Sequence, residues 1–495
     1  MRVVFRVDAS PTIGSGHVMR CLALAQECKA QNMSCLFITS TNSPLLTKRL
    51  HQEGFEIVET PFIYPDYRDL QTTQLILKDR PGSWLVADGY HFDRVYQEQL
   101  KKSGCRLIVV DDNAELDHYY ADVILNHNVH GTDLSYDCEP DTRLLLGNRY
   151  ALLRQEYRCW QGWQRDIPAT ARKILVTMGG ADPQNTTSKV IEAVTSVDQN
   201  FKIKVVIGST NPHFKELQMM LDDIDNDVQM ICNAQDMSEL MAWADIAVSA
   251  GGVTAWEMAF MGLPNLIIVL AENQIGNVDK LTALGAARNL GWHENLTAQT
   301  IADNLEEIIC DQYMRDDMSH KGRMLIDGNG PARVLMKMME EPIWLRKVRS
   351  DDCRIIWEWA NEPIARKMSF ISEPIPWENH CTWFHTRLND PNCRMYVGID
   401  ESEHPAGLVR YEIDEDAATV GVSVDTGLRG KGIASNLLRI SARYLFSAND
   451  INTINAFIKP ENTGSLKAFT KAGYSHVGRT KVSGHDACHY VLHKA

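Results

Sequence analysis

The 495-residue sequence predicts an α/β protein, with two Rossmann-like domains at residues 1–165 and 166–340 followed by an α+β domain at 343–495. Three observations carry this reading. Short apolar runs bounded by polar turns alternate with helically spaced segments through the first 340 residues, as in a parallel sheet covered on both faces. The series starts afresh after a polar, Trp-rich stretch, Arg158 to Arg172. Beyond Met338-Met-Glu-Glu-Pro342 the apolar residues alternate with period two, as in an antiparallel meander.

In the first series the strands fall at Val3–Val7, Cys35–Thr39, Trp84–Ala87, Leu107–Val110 and Val123–Leu125, with a helix over Val18–Ala30. In the second they fall at Lys173–Met178, Lys202–Ile207, Val228–Ile231, Ile246–Val248 and Asn265–Leu270. The third part opens with an apolar strand at Ile343 and a Trp-rich helix. It continues through strands Met395–Ile399, Ala406–Ile413 and Ala417–Val424, and an amphipathic helix over Ala434–Phe446 follows a Gly-rich turn.

Fifty Lys and Arg against 64 Asp and Glu give a formal charge of -14, which argues against nucleic acid or an anionic membrane as the main partner. Twelve Cys are scattered without paired spacing, and no window approaches the ~20 apolar residues of a membrane span. The N-terminus reads as a charged strand rather than a leader. The expectation is a soluble, cytoplasmic, thiol-reduced protein. His118, His127, His130 and Cys138 have no spacing that suits a metal, and none is expected. Trp160, Trp163, Trp357, Trp359, Trp377 and Trp383 read as packing residues.

Three glycine turns follow strands in the first two domains. In Ser10-Pro-Thr-Ile-Gly14-Ser-Gly16-His17-Val-Met-Arg20 the chain runs from a turn straight into a helix, whose free N–H groups favour an anion. His17 would lie in that first turn, where the helix dipole disfavours the imidazolium and leaves the ring able to accept a proton. In Ile246-Ala-Val-Ser-Ala-Gly251-Gly252-Val-Thr-Ala-Trp-Glu257 the N–H groups after the glycines can hold a diphosphate, and Glu257 can receive ribose hydroxyls. Gly179 and Gly180 form the third turn, within Met178-Gly-Gly-Ala-Asp182.

Residues 1 to about 335 resemble the two-domain sugar-nucleotide fold of the GT-B type. More closely, Phe5-Arg-Val-Asp-Ala-Ser-x-x-Ile-Gly-x-Gly-His17-x-x-Arg20, Ala87-Asp-Gly-Tyr90, Val110-Asp-Asp112 and Met178-Gly-Gly-Ala-Asp182 resemble the UDP-2,4-diacetamido-2,4,6-trideoxy-β-L-altropyranose hydrolases of pseudaminic acid synthesis. That resemblance implies His17 as the base that activates water for an inverting attack at the anomeric carbon. It implies a UDP-sugar site built from Gly14, Gly16, Arg20, Asp88, Tyr90, Gly179, Gly180, Gly252, Glu257 and Asn273. Asp8, Tyr90 and Asp88 could orient the sugar or water, and read equally well as structural strand-end polar groups.

In the third domain, Val424-Asp-Thr-Gly-Leu-Arg429-Gly430-Lys431-Gly432-Ile-Ala434 joins a strand to a helix. Asn462-Thr-Gly-Ser465, a helix and Gly473-Tyr474 follow. The two segments resemble the acetyl-CoA loop and second signature of GNAT acetyltransferases. The resemblance implies acetyl-CoA as co-substrate, bound by Val424, Arg429, Gly430, Lys431, Gly432, Ala434 and Asn462. Phe469 stands where many GNAT enzymes carry a tyrosine that protonates the departing thiolate. Glu412, on the preceding strand, is a candidate base toward an amine through water, or a solvated strand residue.

Together the resemblances imply consecutive steps on small-molecule substrates: acetylation of a UDP-4-amino sugar, then removal of UDP. The competing readings are a UDP-sugar glycosyltransferase or a sugar-nucleotide-binding regulator for the first part, and a protein or peptide N-acetyltransferase for the last. Sugar stereochemistry and oligomeric state are not encoded in any of these motifs.

Overall fold

The computed structural model describes every residue except 1, 11–13, 41–43, 181, 198–199, 209–210, 223, 225–226, 233, 449 and 495. Ile13 and Ala181, which belong to two of the glycine turns, therefore lie outside the described residues. Two compact units are present: Met1–Cys28 with Met33–Pro331, and Lys29–Asn32 with Ala332–Ala495.

The first unit holds two parallel sheets. One comprises β1 (Arg2–Val7), β2 (Ser34–Thr39), β3 (Glu56–Glu59), β4 (Trp84–Asp88), β5 (Arg106–Val110), β6 (Val123–Asn126) and β7 (Arg143–Leu146), in the order β3-β2-β1-β4-β5-β6-β7. The other comprises β8 (Lys173–Thr177), β9 (Lys202–Ile207), β10 (Asp227–Cys232), β11 (Ile246–Ala250), β12 (Asn265–Val269) and β13 (Arg288–Trp292), in the order β10-β9-β8-β11-β12-β13. Central strands β4, β11 and β12 are buried along their whole length. Alternate residues of the second sheet serve opposite faces: Ile174, Val176, Val248 and Ile268 enter one apolar cluster, and Leu175, Ala247, Ile267 and Val269 another. Helices cover both faces, so near-continuous apolar runs mark these strands in the sequence.

Edge strands β3, β7 and β13 are the ones that apolar runs do not announce. The residues of β3, Glu56-Ile-Val-Glu59, are only exposed or half-buried, and β13 is half-buried throughout. A strand that buries one flank needs less apolar sequence.

Although the sequence pattern separates residues 1–165 from 166–340, the two sheets share one compact unit. Side chains from both lobes pair directly: Arg154 with Glu257 at 2.8 Å and Lys280 with Asp133 at 2.7 Å. The helix Gly330–Met339, expected to close the second domain, instead serves the second unit from Ala332 onward. Its Arg333 pairs with Glu403 at 2.9 Å and lies over Trp344, and Met336 enters that unit's core.

The second unit carries a mixed sheet of β14 (Ile343–Lys347), β15 (Cys393–Asp400), β16 (Pro405–Asp414), β17 (Ala417–Val424), β18 (Thr453–Ile458), β19 (Ser475–Val482) and β20 (His485–His493), in the order β14-β15-β16-β17-β18-β20-β19. Only β17 and β18 run parallel, joined through the helix Ile433–Ala448. The architecture is thus the expected one, two Rossmann-like lobes followed by an α+β domain. Among the described residues, no helix is long and apolar enough to cross a membrane.

Trp256 is 1% exposed and lies at the centre of the second lobe's cluster. Trp256→Ala should cost about 3–5 kcal/mol, read as a lower denaturant midpoint for the first unit's transition.

Candidate active sites

In the first unit the carboxyl ends of the parallel strands carry the polar residues, the place where open α/β sheets bind ligands. Gly14, at φ 77°, turns the chain after β1, and its N–H donates to Ser10 O at 2.8 Å. Gly16 then opens the helix Gly16–Ala30, which sets His17 in its first turn.

Asp88, the last residue of β4, is fully buried. Its Oδ1 lies 2.6 Å from His17 Nδ1 and accepts from Arg20 Nη2 at 2.7 Å, while Oδ2 accepts from Arg20 Nε at 2.7 Å. Arg20 turns its remaining nitrogen, Nη1, to Asp112 at 2.8 and 3.0 Å. Asp112 also accepts from Tyr90 Oη and from Asn128 Nδ2, each at 2.6 Å. The result is a buried chain of charge from His17 through Asp88 and Arg20 to Asp112.

Burial alone would favour the protonated form of both carboxyls. The Arg20 guanidinium outweighs it, holding Asp88 down at about 2 and Asp112 well below the ordinary carboxylate range. An ionised carboxylate has no proton to give, so the proton of the 2.6 Å contact belongs to His17 Nδ1, which Arg20 Nη2 also approaches at 3.0 Å; in the neutral ring Nε2 is then the nitrogen with the lone pair. The sequence placed only a helix dipole beside this ring; Asp88 and Arg20 are the nearer charges.

Several residues expected to contact UDP-sugar have protein partners here. Arg20 is 3% exposed and spends its guanidinium on Asp88 and Asp112, so it orders the site from within. Asp88 faces His17 rather than a sugar. Glu257 is 4% exposed, and Oε1 accepts from Arg154 Nη2 at 2.8 Å and Nε at 3.2 Å, where ribose hydroxyls were expected. Arg154 lies in the connection after β7, in none of the motifs. Asp8 is buried among Arg6, Ser40 N and His91, as a strand-end structural group would be.

Tyr90 and Asn273 do meet at the cleft. The Tyr90 ring stands edge-on to His17 at 4.9 Å, and Asn273 Nδ2 donates to Tyr90 Oη at 2.7 Å, joining the lobes. Gly180 packs close to the first turn: a Cβ there would sit 3.0 Å from Ser15 Oγ. A Cβ on Gly252 would meet nothing within 4 Å, so that turn opens to space, whereas the Gly251 N–H is taken by Gln274 Oε1 at 3.2 Å. The turn at Gly179, φ 83°, leads to Asp182, whose carboxylate caps the next helix through Thr186 N and Thr187 N at 2.9 Å. That helix start already has its anion.

His127 is buried. Burial, then the charge of Arg20, holds its imidazole down at about 4, and Nδ1 accepts from Leu152 N. Among the described residues, no group of three or more His, Cys, Asp or Glu is placed to hold a metal ion.

In the second unit, β17 and β18 pair only from Ala417–Thr419 to Thr453–Asn455, although β17 continues to Val424 and β18 to Ile458. The strands therefore part into a wedge with its vertex at Thr419 and Asn455. Val424 ends β17 at the mouth, and the turn that follows puts Gly430 at φ 79° and Gly432 at φ 82° before the helix Ile433–Ala448. A Cβ at Gly432 would meet nothing nearer than 3.9 Å, and one at Gly430 nothing within 4 Å, so the backbone here is open to a ligand. Ala434 lies in the helix's first turn, and Lys431 is exposed.

Arg429 does not point freely at this turn. It donates to Glu362 Oε2 at 2.8 Å, the cap of the short helix Pro363–Met368. Lys459, just past β18, donates to Lys367 O at 3.2 Å at the other end of that helix, which therefore bridges the mouth of the wedge. Asn462 Oδ1 accepts from Ser465 N and caps the helix Thr463–Lys471. Phe469 is 3% exposed, packed edge-on to Tyr474 in the core. Glu412 pairs across to Thr419, and its Oε1 sits 3.4 Å from Arg410 and 3.5 Å from Arg387, between two cations rather than open to water alone.

The acetyltransferase (GNAT) domain profile matches residues 343–475, and the glycosyltransferase family 28 C-terminal domain profile matches residues 174–324. The chain is 25% identical over 492 residues to an uncharacterized protein of Methanocaldococcus jannaschii, covering 96% of each. It is 26% identical over 253 residues to the UDP-2,4-diacetamido-2,4,6-trideoxy-β-L-altropyranose hydrolase of Campylobacter jejuni, covering 49% of this chain and 81% of that one. It is 30% identical over 143 residues to the putative phosphinothricin acetyltransferase YwnH of Bacillus subtilis, covering 27% of this chain and 85% of the relative.

Arg20→Met should destabilise the first unit by about 3–5 kcal/mol at pH 7, because it strands two buried carboxylates. The paired state contributes stability above the unfolded carboxyl range and loses it as pH falls toward about 2, where Asp88 protonates. The gap between wild type and variant in denaturant titrations should therefore be widest near neutrality and narrow as the pH approaches 2.

Proposed function

We propose that this chain, which belongs to the GNAT acetyltransferases through residues 343–475 and is joined there to a segment similar to UDP-diacetamido-trideoxy-altropyranose hydrolases, is a bifunctional enzyme acting on UDP-amino sugars. Residues 343–495 acetylate the 4-amino group of a UDP-4-amino-4,6-dideoxy sugar with acetyl-CoA. Residues 1–165, with His17, and 166–340, which hold the UDP, then hydrolyse the diacetamido product to UDP and free sugar. The observation that carries the hydrolase reading is the His17–Asp88 contact, backed by Arg20 and Asp112 at the strand ends.

His17 Nε2 takes a proton from water as the oxygen attacks the anomeric carbon, and the carbon–oxygen bond to UDP breaks with inversion. The buried Asp88 carboxylate stabilises the imidazolium that forms, and Arg20 keeps Asp88 ionised for that role. UDP is a good leaving group, and the open turn at Gly252, with Gly14, Gly16, Gly179 and Gly180 around the cleft, is suited to its phosphates.

In the acetyltransferase step the CoA diphosphate rests on backbone N–H groups of the Gly430–Gly432 turn, with Lys431 adding charge, and the pantetheine arm follows β17 inward from Val424. The amine nitrogen attacks the thioester carbonyl and CoA leaves as its thiolate. Tethering the two steps raises the local concentration of the shared intermediate.

The family 28 profile at residues 174–324 favours one competing reading, transfer of the sugar to an acceptor. UDP release in water without acceptor separates the two.

Incubation with UDP-4-amino-4,6-dideoxy-N-acetyl-β-L-altrosamine and acetyl-CoA should yield CoA, UDP and the free diacetamido sugar, identified by NMR; absence of all three products sinks the proposal. His17→Ala should slow UDP release by about 10²–10⁴-fold while CoA release continues. Gly432→Val, which forces a β-branched residue to φ 82°, should raise the KM for acetyl-CoA and leave hydrolysis of the acetylated substrate unchanged.

A further inference from the structure

A histidine outside all the motifs stands beside the vertex of the wedge in the second unit. Along β18, Ile454, Ala456 and Ile458 bury in the cluster under helix Ile433–Ala448, so Asn455 and Phe457 face the other side of the sheet. His489 lies opposite Phe457 in the antiparallel β18–β20 pair and shares that face, its ring stacked on Phe457 at 4.8 Å and 20°. His489 Nε2 is 2.8 Å from Asn455 Oδ1. An amide oxygen only accepts, so Nε2 carries the proton, and in the neutral ring Nδ1 is the nitrogen with the lone pair. On this face helices Cys353–Asn361 and Trp377–Leu388 cover β14 to β16, and Asn455, Phe457 and His489 are half-buried. The cross-strand neighbours of His489 are uncharged, Phe457 on β18 and Gly478 on β19.

The placement matches the reacting end of a CoA thioester. Asn455 pairs with Thr419 on the last rung before β17 and β18 part. Val424 at the mouth is five residue steps from Thr419, about 17 Å of strand at ~3.3 Å per residue. An arm entering from the Gly430–Gly432 turn and running along β17 ends at this rung. Glu412 flanks the rung from β16, held between Arg387 and Arg410.

We propose that His489 is the proton acceptor of the acetyl transfer and that Asn455 is its positioning residue, an inference that rests on the acetyltransferase reading above. The neutral amine forms a bond from nitrogen to the thioester carbon, the carbon–sulfur bond breaks, and its electron pair stays on sulfur. The proton lost by the nitrogen passes to His489 Nδ1 and from there to the CoA thiolate, giving amide and free thiol. This route also supplies the proton that Phe469 is unable to give.

Acetyl transfer to UDP-4-amino-4,6-dideoxy-N-acetyl-β-L-altrosamine by the full chain tests this, with acetyl-CoA affinity by calorimetry as the check on folding. His489→Gln should lower kcat by about 10²–10⁴-fold, leave acetyl-CoA affinity unchanged, and lose the acidic limb of the kcat/KM pH profile. Asn455→Asp, which sets a carboxylate beside Nε2, should move that limb to higher pH while activity persists. Wild-type kcat and an unaltered limb in His489→Gln, or an unmoved limb in Asn455→Asp, overturn the assignment alone. A wild-type chain that transfers no acetyl group to this amine overturns the acetyltransferase reading and the assignment with it.

Discussion

The first unit's site depends on one guanidinium. Arg20 lies between Asp88 and Asp112, and without it two carboxylates at neighbouring strand ends would be buried side by side with no compensating charge. Its position follows from the helix: His17 and Arg20 are three residues apart, so both project from one face toward the end of β4. Arg20 reaches both acids while His17 meets only the nearer one. The tautomer of His17, the ionisation of Asp88 and the placement of Tyr90 through Asp112 all descend from that geometry.

The second unit solves a different problem. An acetyl-CoA arm needs backbone polar groups that neighbouring strands would ordinarily use, and β17 and β18 leave theirs unpaired toward each other by separating after Thr419 and Asn455. The wedge is braced at its mouth by the helix Pro363–Met368, tied at one end to Arg429 and at the other to Lys459. Arg429 thereby ties the walls of the wedge together, and the Gly430–Gly432 backbone stays open. The charge of -14 describes the surface as a whole, whereas the open glycine turns are local features of the backbone.

The sheet architecture was legible because fully buried parallel strands need continuous apolar runs, and β1, β4, β11 and β12 have them. The glycine turns were legible for a related reason, since a strand that must turn at once into a helix needs residues without side chains. Edge strands such as β3 and β13 left no such mark. Among site residues, His17 was visible from its place after a glycine turn, whereas the ion-pair partners of Arg20, Glu257 and Arg429 were not, because a charged residue in a motif carries no label for its partner. Arg154 and His489 lie in no motif, and only folding brings them to Glu257 and Asn455.

Sequence by itself therefore determined the succession of two parallel-sheet lobes and a mixed-sheet domain, the positions of the glycine turns, and the histidine at the head of the first helix. These are local properties, set by periodicity and by the φ values that glycine permits. Tertiary structure alone decided which charges face one another: Asp88 against His17 across 71 residues, Arg154 against Glu257 across 103, and the register that opens β17 from β18. Electrostatic pairing in a buried site acts through space and over a few ångströms, so separation along the chain does not reveal it.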